Sequence, residues 1–91
     1  MEPQQIADRI GKIARQQGWK KDWANGGCYI HLEVSEFIEA LRGKGKSTPE
    51  TEAGDVLIAF FAVLDHYKIP VSVVLKEAAK TIKSLEEKYR I

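Results

Sequence analysis

The chain is 91 residues long, enough for a single domain over 1–91 and short enough that a partner subunit would help it bury apolar surface. Apolar residues make up 44% and charged residues 30%, which excludes a disordered tract, and a net charge of +1 gives no electrostatic reason to expect long nucleic acid or an anionic membrane as partner. A small anionic ligand stays compatible, because a local basic cluster suffices for one. Cys28 is the only cysteine, so no intrachain disulfide forms, which fits a reducing compartment. Met1-Glu2-Pro3-Gln4-Gln5 shows no basic region followed by an apolar stretch, so no signal peptide is expected. The longest apolar run, Val56 to Leu64, is far shorter than the ~20 residues that span a bilayer. The expectation is a cytoplasmic protein.

The first helix is predicted from about Pro3 to Gln17. Pro3 suits a first turn, Ile6, Ile10, Ile13 and Ala14 recur at helical spacing, and Gly18 supplies a stop. Trp19 to Gly27 reads as loop, ending in Asn25-Gly26-Gly27. A second helix is predicted from about Cys28 to Arg42, with Ile30, Val34, Phe37, Ile38 and Leu41 as its apolar face. Gly43-Lys44-Gly45-Lys46 follows as a polar turn. Ser47 or Thr48 caps the third helix, Pro49 sits in its first turn, and Ser47 with Glu50 has capping-box spacing. This helix runs to about Tyr67, and its Val56–Leu64 stretch is apolar all round. Such a helix is buried on every side in a soluble protein, which so short a chain achieves by contacting another subunit. Ile69-Pro70 breaks the chain. Ser72 then caps a fourth helix from about Val73 to Tyr89, with Val74, Leu75, Ala78, Ile82 and Leu85 facing inward. No segment alternates with period two. The expected fold is all-α: four helices in an antiparallel bundle, completed by a homodimer or homotetramer.

Two short acidic motifs carry the chemistry. Glu33-Val34-Ser35-Glu36 lies in the second helix and Glu52-Ala53-Gly54-Asp55 in the third. A spacing of three puts both acids of each motif on one helical face, and a short turn makes the two helices antiparallel neighbours. At ~1.5 Å per residue, Glu36 lies roughly 9 Å before the end of its helix and Asp55 roughly 10 Å after the start of the next, so the pairs face each other. Core-type residues flank both motifs: Leu32, Val34 and Phe37 on one side, Val56 and Leu57 on the other. Acidic pairs at this spacing are common on solvated helix faces. Four carboxylates converging beside apolar residues, however, repel one another and call for a cation, and carboxylate oxygen is the ligand of Mg²⁺ and Mn²⁺.

Leu32-Glu33-Val34-Ser35-Glu36-Phe37-Ile38-Glu39-Ala40, followed by Glu52-Ala53-Gly54-Asp55-Val56-Leu57, resembles the E-x-x-E … E-x-x-D signature of the MazG-like superfamily of all-α nucleotide pyrophosphohydrolases. Fifteen residues separate the motifs, and the similarity extends over roughly residues 28 to 90. The resemblance implies Mg²⁺, with Mn²⁺ as a substitute, held by Glu33, Glu36, Glu52 and Asp55. It also implies hydrolysis of a (deoxy)nucleoside triphosphate to the monophosphate and pyrophosphate, with Glu33 or Glu36 orienting or deprotonating the attacking water.

Other residues are weaker candidates. Lys80 and Lys83, three apart on the basic last helix, can meet a phosphate or simply form a solvated face near a helix C-terminus. Lys44 and Lys46 in the turn are further candidates for the same role. Trp23, like Trp19, can stack on a base or pack against the bundle. His31 and His66 lack the partners of a zinc or di-iron site, Cys28 lacks a dyad companion, and Glu39 extends the acidic row. The competing function is a non-catalytic helical module for nucleotide sensing or subunit interaction. A helical DNA binder is disfavoured by the near-zero charge and by the acids within the second helix.

Overall fold

The computed structural model describes residues 1–19 and 28–91. Four helices follow in order: α1 (Pro3–Gln16), α2 (Cys28–Leu41), α3 (Pro49–His66) and α4 (Val71–Tyr89). Among the described residues there is no strand, so the fold is all-α. No single described helix is long and apolar enough to cross a membrane.

Local chemistry sets the helix ends. Gly18, at φ +63°, follows α1, and the N–H groups of Gly18 and Trp19 return to the carbonyls of Arg15 and Ala14. Gly43, at φ +73°, does the same for α2: its N–H bonds Ala40 and that of Lys44 bonds Glu39. Both are Schellman caps, in which a left-handed residue lets the chain satisfy the last carbonyls of the helix. Lys68, at φ +57°, plays this part at the end of α3 with a side chain attached. The N-cap of α3 is Thr48, whose hydroxyl oxygen accepts from the Thr51 N–H at 3.2 Å. Ser47 therefore does not cap, and the expected Ser47–Glu50 box is replaced by this Thr48–Thr51 pairing. Helix α4 begins two residues earlier than expected, with Pro70 as N-cap rather than Ser72. The reason is tertiary: the otherwise orphaned Val71 N–H donates to Gln4 Oε1 of α1 at 3.0 Å.

α3 is the central element, packed against α2 and against α1, while α4 touches α1. The buried core is small: Ala7 and Ile10 of α1, Phe61, Ala62 and Leu64 of α3, and Val71 at the start of α4. It lies at the C-terminal half of α3, away from the acidic motifs. From there α4 departs at 115° to α3. Only its first turns pack, so Leu75, Ile82 and Leu85, expected to face inward, are exposed in the single chain. The apolar α3 run is likewise only partly covered: Leu57, Ile58 and Phe60 remain exposed, as do Val34, Ile38 and Leu41 of α2.

One close approach joins α1 to α3. Asp65, paired with Arg15 at 2.6 Å, lies directly over Gly11, where an added Cβ would collide with its carboxylate. Gly11→Ala is therefore expected to destabilise the chain by about 1–3 kcal/mol despite the ~1 kcal/mol helix-propensity gain of Ala over Gly. Gly54→Ala, whose Cβ would meet open space, is expected to stabilise by up to ~1 kcal/mol. Thermal denaturation of the two variants separates these outcomes by sign. A rise in melting temperature for both would contradict the close α1–α3 contact.

Candidate metal centre

The α2–α3 hairpin delivers the two acidic motifs to one place. The tight cap at Gly43 and the N-cap at Thr48 keep the connection short, so α3 runs back along α2. Glu33, Glu36 and Glu52 each bring a carboxylate oxygen into a group whose members lie within 4.8 Å of one another. Asp55, one turn after Glu52, stands beside this group, close enough that its charge acts on Glu33. Glu33 thus faces the Asp55 level and Glu36 the Glu52 level, the order an antiparallel pair requires.

Burial differs sharply among the four. Glu52 is 8% exposed, Glu33 is half-buried, and Glu36 and Asp55 are exposed. One buried oxygen of Glu52 (Oε2) and one of Glu33 (Oε2) have no hydrogen-bond partner among the described residues. A buried carboxylate without donors is costly. At separations of this size, two like charges also repel by roughly 3 kcal/mol at an effective dielectric of about 20. The Glu33 carboxyl is accordingly pushed above its ordinary range, first by burial, then by the charges of Glu36, Asp55 and Glu52.

This donor set fits a hard divalent cation. It is all carboxylate oxygen, with no imidazole or thiolate in the group, which suits Mg²⁺ or Mn²⁺ better than zinc. Two ~2.1 Å bonds across one Mg²⁺ span ~4.2 Å, so small side-chain adjustments bring the three oxygens onto one ion. A cation there would pair the orphaned oxygens and relieve the repulsion together.

Beside the acids a cleft of about 270 Å³ opens between the last turns of α2 and the α2–α3 connection, lined by Glu36 and Glu52 and by Lys44 and Lys46. Glu39 lines it too, with its carboxylate 3.7 Å from Arg42. Lys80 and Lys83 are elsewhere, exposed on α4, and Lys80 is paired with Glu77 at 3.1 Å. Trp23 lies outside the described residues, and Trp19 is partly exposed at the end of α1. From sequence, Lys80 and Lys83 rank ahead of Lys44 and Lys46 because the resemblance implies basic residues in the last helix. Lys44 and Lys46 are the lysines that line this cleft, and the sequence signal for that is their position in the turn joining the two acidic helices. No match was found for the chain among protein-family models, curated proteins or solved structures.

Proposed function

We propose that this chain is a Mg²⁺-dependent pyrophosphohydrolase that converts a (deoxy)nucleoside triphosphate and water into the monophosphate and pyrophosphate. The observation that carries the reading is Glu52: a carboxylate 8% exposed, with an unpartnered oxygen, grouped with Glu33 and Glu36. A solvated acidic face has no reason to bury an unpaired acid. The motif resemblance to MazG-like enzymes supplies the reaction class.

In this reading Glu33, Glu36 and Glu52 hold the ion, with Asp55 as the fourth acid at its edge. The chemistry supplied by a cation here is neutralisation of phosphate oxygens and a lowered pKa for the attacking water. One acid of the group, Glu33 or Glu36, orients that water and accepts its proton. The water oxygen bonds to the α-phosphorus as the bond from that phosphorus to the leaving pyrophosphate breaks, and the proton passes to the same carboxylate.

The test is a panel of nucleoside triphosphates with Mg²⁺, resolved for monophosphate, pyrophosphate and orthophosphate. Equimolar monophosphate and pyrophosphate are expected from at least one substrate. Orthophosphate as the first product, or no turnover of any member, would reject the reaction.

The assembly belongs to the same reading. The exposed apolar residues of α2 and α3 and the small buried core among the described residues support a homodimer or homotetramer, since apolar side chains left exposed in the single chain are what an interface covers. Sedimentation at micromolar concentration is expected to give twice or four times the 10.3 kDa chain mass. A single species at the chain mass would rule this out.

A further inference from the structure

We propose that the cleft between the end of α2 and the α2–α3 turn is a diphosphate subsite, in which Lys44 and Lys46 bind the phosphate chain that becomes pyrophosphate. The inference rests on the proposed reaction for its substrate class, but its residues are chosen by the cleft itself. Three acids, Glu36, Glu39 and Glu52, and two lysines, Lys44 and Lys46, line one concavity of about 270 Å³, and Glu39 lies 3.7 Å from Arg42. Neither lysine makes an ion pair with these acids among the described residues. A free polyanion entering this space would be repelled by Glu36 and Glu52. A phosphate chain carrying a divalent cation satisfies both kinds of side chain, cation with the acids and phosphate oxygens with the ammonium groups.

Two structural facts strengthen the assignment. The lysine-bearing turn is held by its backbone: the Lys44 N–H bonds Glu39 at 2.9 Å, Gly43 and Gly45 adopt left-handed φ of +73° and +81°, and Thr48 caps α3 immediately after. The backbone that carries both lysines is thereby fixed at the end of α2. Second, Glu52, one of the residues lining this cleft, is more than nine-tenths buried, and one of its carboxylate oxygens has no hydrogen-bond partner among the described residues, so the wall of the cleft holds an uncompensated acid. Size then limits the occupant. The cleft falls below the ~300–1,000 Å³ typical of pockets that enclose a whole drug-sized ligand. It takes a phosphate chain and leaves nucleoside outside, so this subsite selects for chain length rather than for base.

The probe is inorganic pyrophosphate, titrated calorimetrically with and without Mn²⁺ into the wild-type protein, Lys44→Ala/Lys46→Ala and Lys80→Ala/Lys83→Ala, each first checked by melting. Mn²⁺ binding alone is measured in parallel by electron paramagnetic resonance. The Lys44/Lys46 variant is expected to bind pyrophosphate about tenfold or more weakly, as loss of charge-assisted hydrogen bonds implies, and to bind Mn²⁺ as wild type does. The Lys80/Lys83 variant is expected to match wild type in both. Equal pyrophosphate affinity in wild type and the Lys44/Lys46 variant, or no pyrophosphate binding by wild type, overturns the subsite. Absence of Mn²⁺ binding by wild type would instead reject the metal centre, and a Lys44/Lys46-dependent pyrophosphate affinity would still support the subsite.

Discussion

Glu36→Gln is expected to lower the rate of pyrophosphate release by on the order of a hundredfold or more, since even partners one layer outside a metal's ligands typically change activity 10–100-fold. The amide keeps the shape of the side chain and removes its charge. The same loss is expected for Glu33→Gln and Glu52→Gln, whose oxygens share the 4.8 Å group. Asp55→Asn should lose most activity as well, because its charge acts on Glu33 although it lies outside that tight group. Residues serving one ion work as a unit, so double variants should lose little beyond the worse single. Glu39→Gln is the contrast. It sits one turn beyond Glu36, near Arg42 rather than in the acid group, and should retain substantial turnover. Steady-state pyrophosphate release at saturating Mg²⁺ reads all of these. Near-wild-type rates for both Glu36→Gln and Asp55→Asn would remove the site and the enzymatic reading together.

The second large effect is on stability, and its sign follows from Glu33. An acid whose pKa is raised on folding keeps its proton in the folded chain at pH values where the unfolded chain has lost it. The folded state then binds more protons, so stability falls as pH rises through that window. For the cation-free protein the fall begins near the ordinary glutamate value of 4.5 and continues up to the raised value. A divalent cation reverses the trend, because it competes with the proton for the same carboxylate. Its stabilising effect should grow over that window, reaching about 2.7 kcal/mol at a hundredfold excess over Kd. In a domain this small each kcal/mol moves Tm by about 4–8 °C, so the shift is readily measured. Glu33→Gln should flatten the pH dependence without cation, match or exceed wild-type stability at neutral pH, and lose most of the Mg²⁺-induced shift. Glu36→Gln should keep its cation-free stability and also lose the shift. Melting curves across pH, with and without Mg²⁺, decide this. A full Mg²⁺ shift surviving in both variants would mean that the ion binds elsewhere.

Helix placement was largely determined by the sequence itself, because the signals are local. Gly18 and Gly43 end α1 and α2 by taking the left-handed conformation that other residues resist, and Thr48-Pro49 starts α3 by supplying a side-chain acceptor and a preset φ. The meeting of Glu33 and Glu36 with Glu52 was legible for the same kind of reason. Helical periodicity, a constant rise and a short turn leave two antiparallel helices few registers. What only the tertiary structure decided are the properties that depend on neighbours far along the chain. Pro70 rather than Ser72 starts α4 because Gln4, sixty-seven residues from Val71, reaches its N–H. The 115° departure of α4 follows the lodging of Val71 in the core formed by α1 and α3, and it leaves Lys80 and Lys83 on an exposed helix. Burial of Glu52 against exposure of Glu36 cannot be read from a motif in which both occupy equivalent helical positions. Depth is set by what packs around each residue, and that sum over distant contacts is the quantity that periodicity omits. The cleft lined by Lys44, Lys46 and the acids arises likewise from how two helices and their turn close on one another.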